Sequence, residues 1–337
     1  MGVHSRYADC MRLPSLEEIR AAQEIVYRHM RPTPQYAWPL LRERLGTEAW
    51  IKHENHTPVG AFKIRGALVY MDWLARSRPG LSGVVAATRG NHGQGVAMAA
   101  KEFGLKAKIV VPIGNSVEKN RAMRALGATL VEYGHDFQAA LEHARAIAAG
   151  EGLALVESFH ERLVMGTATY AMEMLEGAPE LDTVYVPIGL GSSICGMAAG
   201  RKALGRRTEI VGVVAAESPS YARSFQERRA VEAPAQSRIA DGLSCRVPNQ
   251  DALAIILAEV ERVVEVSEAE IKQAMLAYYE DTHNLAEGAG AAALAGAMRE
   301  RETVGSERIG VVLTGSNVDR AQYATILCET PSEAREH

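Results

Sequence analysis

Short apolar segments and helical segments follow each other along the chain in regular alternation. In the first half, apolar runs of strand length occupy residues 49–53, 83–87, 107–111, 128–132 and 153–156. Segments with the spacing of amphipathic helices separate the last four runs and begin near Gln94, Ser116 and Asp136. Strands separated by helices of ten or more residues are joined by crossover connections, so these strands are predicted to form a parallel sheet.

The second half of the chain repeats this alternation. Strands are predicted at residues 183–188, 209–216, 262–266 and 308–313, and helices at residues 163–176, 194–203 and 288–300. Ser15 with Glu18, and Ser267 with Glu270, have the spacing of capping boxes that begin two further helices. Two sets of parallel strands predict two α/β domains with a cleft between them. Such sheets bind ligands at the carboxyl ends of their strands.

Composition and charge narrow the functions open to this fold. Of the 337 residues, 47% are hydrophobic and 23% are charged, which is typical of a globular protein. The net charge of -4, with lysine and arginine scattered, forms no patch for nucleic acid or an anionic membrane. We therefore expect a small-molecule ligand. No apolar run is long enough to span a membrane and residues 1–15 contain no signal segment, so a cytoplasmic protein is expected.

The cysteines give the same indication about the compartment. Cys10, Cys195, Cys245 and Cys328 are far apart and form no Cys-x-x-Cys pair. This spacing argues against a structural zinc site and against a disulfide framework, and it fits a reducing cytoplasm.

Three loops follow predicted strands and contain candidate binding groups. The 88–95 loop, Thr-Arg-Gly-Asn-His-Gly-Gln-Gly, opens a helix, and its glycines let a carboxylate or a phosphate approach the free N–H groups. The 188–193 loop, Ile-Gly-Leu-Gly-Ser-Ser, is a plausible phosphate site, although it lacks the P-loop lysine and the third dinucleotide glycine. In the 313–319 loop, Thr314 taken alone is best explained as a turn residue.

Two charged residues occupy unusual positions. Lys63 lies between Phe62 and Ile64, where a turn leads into an apolar helix; alone, it would be interpreted as a solvated helix residue. Glu287 lies at the entry of the alanine-rich helix predicted at residues 288–300 and could simply stabilise the helix dipole there.

Five motifs, in this order, carry a resemblance to a known family. They are Phe-Lys-Ile-Arg-Gly-Ala at 62–67, Gly-Asn-His-Gly-Gln at 90–94, the 188–193 loop, Ala-Glu-Gly at 286–288 and Thr-Gly-Ser-Asn at 314–317. From about residue 15 to residue 325, the chain resembles the pyridoxal-phosphate enzymes of the threonine dehydratase and serine racemase family. The resemblance implies the fold of type II enzymes, with two open parallel-sheet domains and the cofactor, pyridoxal 5'-phosphate, in the cleft between them. It divides the chain into a large cofactor-binding domain (1–70 and 154–337) and a small substrate-loop domain (71–153), commonly assembled as a homodimer or homotetramer.

The resemblance also assigns roles to individual residues. Lys63 carries the cofactor as a Schiff base, with Phe62 beside the ring. Asn91 bonds the ring hydroxyl, and Thr314 faces the pyridine nitrogen. The cofactor phosphate lies on Gly189, Leu190, Gly191, Ser192 and Ser193, and the substrate carboxylate is received by Thr88, Gly90, Asn91 and His92.

These roles favour one type of reaction. A threonine hydroxyl can bond a pyridine nitrogen without protonating it, so the ring is a weaker electron sink than one paired with an aspartate. Rapid loss of a β-leaving group is then favoured. We expect a dehydratase, an ammonia-lyase that converts a 3-hydroxy amino acid such as L-threonine or L-serine into a 2-oxo acid and ammonia. Lys63 removes the α-proton, and Glu287 is a candidate orienting group near the ring.

Several residues depart from the family pattern. Arg89 stands where the family has a small residue; it could contact the cofactor, contact a polar group of a non-standard substrate, or point into the domain interface, and it makes racemase activity unexpected. Leu190 and Ser192 replace glycines of the phosphate loop. Arg223 replaces an acid that acts with Glu217 in metal-binding relatives, so no divalent metal is expected to be required.

Other activities stay open at this point. The chain could act on a bulkier, phenylserine-like 3-hydroxy amino acid, catalyse β-replacement, or bind pyridoxal phosphate without turnover. The short segment after residue 325 leaves no room for a regulatory domain, so a role in amino-acid catabolism is expected.

Overall fold

The computed structural model describes residues 11–304 and 308–329. The strands are β1 (Gln35–Ala37), β2 (Ala49–His53), β3 (Gly83–Ala87), β4 (Lys106–Val111), β5 (Thr129–Glu132), β6 (Ala154–Leu155), β7 (Thr183–Pro187), β8 (Glu209–Ala215), β9 (Arg262–Val266) and β10 (Ile309–Leu313). The helices are α1 (Leu16–Tyr27), α2 (Pro39–Leu45), α3 (Lys63–Ser77), α4 (Asn91–Glu102), α5 (Val117–Ala125), α6 (Phe137–Glu151), α7 (Glu161–Gly177), α8 (Ser192–Ala203), α9 (Ser220–Glu227), α10 (Gln250–Glu259), α11 (Glu268–Thr282), α12 (Gly288–Arg299), α13 (Arg301–Val304) and α14 (Arg320–Cys328). Two 3₁₀ turns lie at Glu54–His56 and Asp241–Leu243.

The strands form two sheets, as the alternating pattern predicts. The large sheet has the order β1-β2-β10-β7-β8-β9, and the small sheet has the order β5-β4-β3-β6. All neighbouring strands are parallel except β1 and β2, which pair antiparallel with Tyr36 opposite Ile51. The predicted α/β class with two parallel sheets is confirmed. The pattern missed β1 because its three residues, between two prolines, are too few to show a periodicity.

The small sheet lies within one continuous part of the chain, from β3 to β6, whereas the large sheet uses segments before and after it. The division into domains of residues 1–70 with 154–337 and residues 71–153 stays a prediction.

Helix boundaries follow local capping chemistry. Both predicted capping boxes are present: the Glu18 N–H donates to Ser15 Oγ and the Glu270 N–H to Ser267 Oγ, at 3.3 Å in each case. The predicted start of the fourth helix near Gln94 is wrong, because α4 begins at Asn91. The glycines of α4 allow close packing against α3, because a Cβ on Gly95 would lie 3.2 Å from the Lys63 carbonyl oxygen.

Small residues let helices approach the sheets and each other closely. The alanine- and glycine-rich helix α12 is buried from Gly288 to Ala297 and packs against the large sheet. Helices α3 and α7 lie in such close contact that a Cβ on Gly66 would be 2.8 Å from the Leu163 carbonyl oxygen. This contact fixes the helix whose first residue is Lys63.

A buried ion network anchors the same helix. The fully buried guanidinium of Arg65 donates to Glu54 at 2.7 and 2.9 Å and to Glu173 at 2.6 and 2.9 Å. Lys52 Nζ donates to Glu173 at 2.6 Å and to the Thr33 carbonyl at 2.8 Å. Although burial acts to raise it, the pKa of Glu173 is held below its usual value by Arg65 and Lys52. Two cations and two carboxylates thus balance where β2, α3 and α7 meet.

Two further features concern the apolar character of the helices and the state of the cysteines. None of the helices in the described ranges combines the length and apolar character that a membrane crossing requires. Cys195, Cys245 and Cys328 are free thiols. Cys10 lies outside the described residues.

The network predicts a large and specific loss of stability. Glu54→Gln removes one carboxylate and leaves part of a buried guanidinium uncompensated, so the free energy of unfolding should fall by about 3–5 kcal/mol. Urea denaturation measures this change. Glu151→Gln is the control, because it breaks an exposed pair with Lys108 worth about 0–1 kcal/mol. Equal losses for the two variants would contradict the anchoring role.

Candidate active site

The loops that follow β3, β7 and β10 meet the start of α3 at the carboxyl ends of the strands, where open α/β sheets bind ligands. The Phe62 N–H donates to the Thr314 carbonyl at 3.0 Å, which joins α3 to the end of β10. Asn91 Nδ2 donates to Glu287 Oε1, which joins α4 of the small sheet to α12 of the large sheet. Residues far apart in the sequence therefore share one cleft.

Lys63 is the first residue of α3 and is only partly exposed. Its Nζ lies 4.5 Å from the centroid of the Phe62 ring, and it forms no hydrogen bond or ion pair with any described residue. Burial lowers the pKa of the amine to about 8, against the opposing charges of Glu287 and Asp241. A lysine that is easily deprotonated and has no polar partner in the described part of the chain is suited to act as a nucleophile or a base.

The Phe62 ring connects this lysine to the 188–193 loop. It is buried and meets the Tyr170 ring edge-on at a centroid distance of 6.3 Å. The Tyr170 hydroxyl lies 2.9 Å from the Ser193 carbonyl and 2.8 Å from Ser193 Oγ. Lys63, its neighbouring ring and the loop are therefore held in one rigid unit.

The 188–193 loop ends in a helix N-terminus suited to an anion. Helix α8 begins at Ser192, and no side chain caps it, so its first N–H groups and the positive end of its dipole are available. Gly191, the N-cap residue, has φ +103°, and a Cβ there would lie 2.6 Å from the Ala252 Cβ. The Leu190 carbonyl accepts a bond from Tyr221 at 2.9 Å, which fixes the loop. We call this helix N-terminus and the 188–193 loop the phosphate cradle, because their N–H groups suit a phosphate. Gly189 and Ser193 are the remaining residues of the predicted phosphate site.

The 88–95 loop presents a second helix N-terminus. Thr88 Oγ1 accepts a 3.0 Å bond from the Gly90 N–H, and α4 starts at Asn91 without a side-chain cap. Burial lowers the pKa of His92 to about 3, with a further contribution from Lys63, so the imidazole is neutral. His92 Nε2 and Gln94 Nε2 are buried and have no hydrogen-bond partner among the described residues. A polar ligand would satisfy such atoms.

Glu287 does not act as a simple helix cap. It is the N-cap residue of α12, but its side chain makes no capping bond. The carboxylate is buried; Oε1 accepts from Asn91, whereas Oε2 has no hydrogen bond and lies 3.7 Å from Lys119 Nζ. Burial raises the pKa of this carboxyl, and the Lys119 ammonium acts against that shift.

Thr314 lies buried at the end of β10. Its hydroxyl donates to the Ala289 carbonyl at 3.3 Å, a long bond that a ring nitrogen could replace. Asn317 Nδ2 donates to Asn91 Oδ1 at 2.9 Å and to the Val59 carbonyl at 2.8 Å. The 313–319 loop thus orients Asn91, the residue that the family resemblance predicts beside the cofactor ring.

Arg89 stands apart from this packed arrangement. Its side chain is exposed, although Thr88 and Gly90 on either side are buried. Within the described ranges, its guanidinium has no hydrogen-bond or ion-pair partner. The side chain is therefore exposed to solvent next to two buried residues of the 88–95 loop.

Sequence reasoning missed three residues around this cleft, Lys119, Tyr170 and Asp241, and it named Asn317 only as part of a motif, without a role. Lys119 follows the cap Ser116 in a charged first turn and looks like a solvated residue in the sequence, yet it is buried and paired with Asp241 at 2.9 Å. The only local signal for Asp241 in the sequence is that it precedes a glycine in an otherwise irregular stretch. The described residues contain no group of three or more His, Cys, Asp or Glu side chains placed to hold a metal.

Comparisons with known proteins agree with this geometry. Residues 26–315 match the family described as pyridoxal-phosphate dependent enzyme. The chain is 33% identical to the L-threonine ammonia-lyase of Thermotoga maritima over 309 residues, covering 90% of this chain and 76% of that protein. It is 30% identical to the L-threo-3-hydroxyaspartate ammonia-lyase of Saccharomyces cerevisiae over 318 residues, covering 94% and 97%. The structure of maize serine racemase superposes with a TM-score of 0.88 at 27% identity, covering 94% and 97%.

The geometry of the phosphate cradle predicts that one added methyl group weakens the binding of pyridoxal phosphate. Gly191→Ala strains a left-handed residue and pushes the helix N-terminus against Ala252, so the dissociation constant for pyridoxal phosphate should rise roughly tenfold or more. Titration of the apoprotein followed by absorbance measures it. Gly205→Ala, at the other end of α8, is the matched control because φ is +61° and nothing lies within 4 Å. The same affinity for both variants would argue against the cradle.

Proposed function

The chain belongs to the pyridoxal-phosphate-dependent enzymes, and from this premise we propose that it removes water from a 3-hydroxy amino acid such as L-threonine or L-serine. The β-hydroxyl leaves as water, and a water molecule then converts the imine form of the enamine product into a 2-oxo acid and ammonia. The observation that carries the proposal is the Lys63 amine, which has no hydrogen-bond or ion-pair partner among the described residues and lies near the proposed phosphate cradle and the Asn91–Glu287 pair. Similar proteins named ammonia-lyases support a carbon–oxygen lyase.

The described residues fit pyridoxal phosphate in their chemistry. The 188–193 loop would hold the phosphate through Gly189, Leu190, Gly191, Ser192 and Ser193. Asn91 would bond the ring hydroxyl, Phe62 would pack beside the ring, and Lys63 would form the covalent link. When bound, the cofactor supplies a ring that withdraws electrons from the substrate α-carbon.

Lys63 is the proposed base. Its pKa of about 8 means that roughly half of the amine is neutral at pH 8, against about 0.3% for an ordinary lysine. The neutral amine accepts the α-proton, and its position at the rigid start of α3 keeps it directed at the cleft.

Thr314 would select the outcome of proton removal. A hydroxyl offers the ring nitrogen a hydrogen bond but no proton, because its own pKa is far above neutral. Charge is then less well stabilised on the ring, and loss of the β-hydroxyl is favoured over slower reactions. Thr88, Gly90, Asn91 and His92 would receive the substrate carboxylate at the N-terminus of α4.

A second candidate substrate class is favoured by Arg89. Its exposed guanidinium has no hydrogen-bond or ion-pair partner within residues 11–304 and 308–329, and Arg89 adjoins the proposed carboxylate-binding residues in the sequence. A guanidinium binds a carboxylate through two parallel hydrogen bonds. The substrate would then be a 3-hydroxy amino acid with an acidic side chain, the class that the name of the yeast relative gives. A bulkier neutral side chain would leave Arg89 without an ionic partner.

Assembly and location also belong to the proposal. We expect a homodimer or homotetramer, as the resemblance implies, in a reducing cytoplasm that keeps Cys195 and Cys245 as thiols. Light scattering of the purified protein measures the number of copies, and a monomer would contradict the first expectation.

The reaction is tested by incubating the holoenzyme with threonine, serine, 3-hydroxyaspartate and phenylserine and measuring 2-oxo acid and ammonia. We expect equal amounts of both products from at least one substrate. Lys63→Ala should reduce turnover roughly 1,000-fold or more, because it removes the proposed base. Lys101→Ala, which changes an exposed lysine of α4, should leave it unchanged. No oxo acid from any of these substrates would refute the proposal; a product that retains nitrogen and gains a nucleophile would indicate β-replacement.

The role of Arg89 is tested by comparing substrates. In Arg89→Ala, kcat/KM for 3-hydroxyaspartate should fall about 10- to 100-fold, the loss of a charge-assisted hydrogen bond, whereas that for threonine should change little. Arg124→Ala on the exposed face of α5 is the control. Equal changes for acidic and neutral substrates would exclude recognition of a second carboxylate.

A further inference from the structure

Lys119 is a buried charge outside the proposed reaction. It is the third residue of α5, which packs on the small sheet, yet its Nζ lies 2.9 Å from Asp241 Oδ2 and 3.7 Å from Glu287 Oε2. Both carboxylates belong to elements of the large-sheet side, the 3₁₀ turn at Asp241–Leu243 and the start of α12. A single ammonium therefore crosses the cleft and contacts both acids.

The 88–95 loop leaves space for this side chain. A Cβ on Gly90 would lie 2.6 Å from Lys119 Cδ and 3.5 Å from its Nζ. A side chain at position 90 would therefore meet the lysine stem, which runs against the proposed carboxylate-binding loop.

From this geometry we propose that Lys119 is a positioning residue that supplies the counter-charge for Glu287 and so keeps its carboxylate bound to Asn91 beside the cofactor ring. The inference rests on the proposed function for the identity of the ring. Asp241 fixes the ammonium from the other side, so Lys119 is shared between two acids. Lys119, Asp241 and Glu287 thus act as one unit around Asn91.

Burial and the charges that face Glu287 together set its pKa. Burial has the largest effect and raises the pKa of the carboxyl, Lys119 acts to lower it, Asp241 acts to raise it, and Lys63 adds a smaller lowering effect. His92 is neutral, because its pKa is about 3. Asp319, which raises the pKa of Lys119, helps to keep the ammonium charged. Lys119 thus opposes the rise in pKa that burial gives Glu287, whose Oε2 accepts no hydrogen bond from any described residue.

Two substitutions should therefore have opposite effects. Lys119→Met removes the cation and raises the pKa of Glu287, so the acid limb of the pH profile of kcat should move upward by about one to three pH units. Asp241→Asn removes the competing acid, and the same limb should move downward. Lys119→Arg, which keeps the positive charge, should retain most of the wild-type pH profile. A role limited to packing would not produce shifts of opposite sign.

A measurement without substrate separates this inference from the proposed reaction. The absorbance of the holoenzyme with bound pyridoxal phosphate is recorded from acid to alkaline pH, and the same opposite displacements of the acid transition are expected. Glu287→Gln should abolish that transition, which identifies the titrating group. If no substrate is turned over, the titration still tests Lys119.

Structural effects are controlled within the same helix turn. Ser116→Ala removes the N-cap of α5 and its contact with Asp319 but leaves the charges near Glu287 in place. It should reduce thermal stability without moving the acid transition. If Lys119→Met does not fold, Asp241→Asn carries the test alone. Displacement of both variants in the same direction, or no displacement in either, would overturn the proposal.

Discussion

The fixed position of the Lys63 amine depends on the buried guanidinium of Arg65, two residues further along the same helix. A bound cofactor can be aligned with its substrate only if the residue that holds it does not move with a surface loop. The ion network ties α3 to β2 and α7 through Glu54 and Glu173. Buried charges of this kind add little net stability compared with apolar packing, but they specify one arrangement of their partners. Here that arrangement fixes the direction of the first turn of α3.

The two sides of the cleft contribute different groups. The large-sheet side contributes the lysine, the proposed phosphate cradle and the carboxylate of Glu287, whereas the small-sheet side contributes the 88–95 loop and Lys119. Polar contacts such as Asn91 to Glu287 join the sides. Glu287 therefore has its full set of neighbouring charges and hydrogen bonds only when the two sides are in contact. A change in the distance between the sides would change the pKa of its carboxyl.

Much of this architecture could be predicted from the sequence because strands buried on both faces give continuous apolar runs and because caps such as Ser15 and Ser267 are local. The family motifs also identified Lys63 as the residue to examine. Strand β1 and the early start of α4 were not predictable, since three residues show no period and glycines required by packing resemble helix breakers. Lys119 and Asp241 were missed because nothing local distinguishes a buried ion pair from two solvated charges; only the contact across 122 residues does so.

The order of strands in the large sheet has a consequence for how the protein is made. Strand β10, which follows the other nine strands in the described chain, lies between β2 and β7, so it separates the earliest part of the sheet from the rest. During synthesis, β2 has no parallel neighbour until residue 313 has been added to the chain. We therefore expect the complete large sheet, and with it the proposed cofactor site, to form late in the biogenesis of the protein.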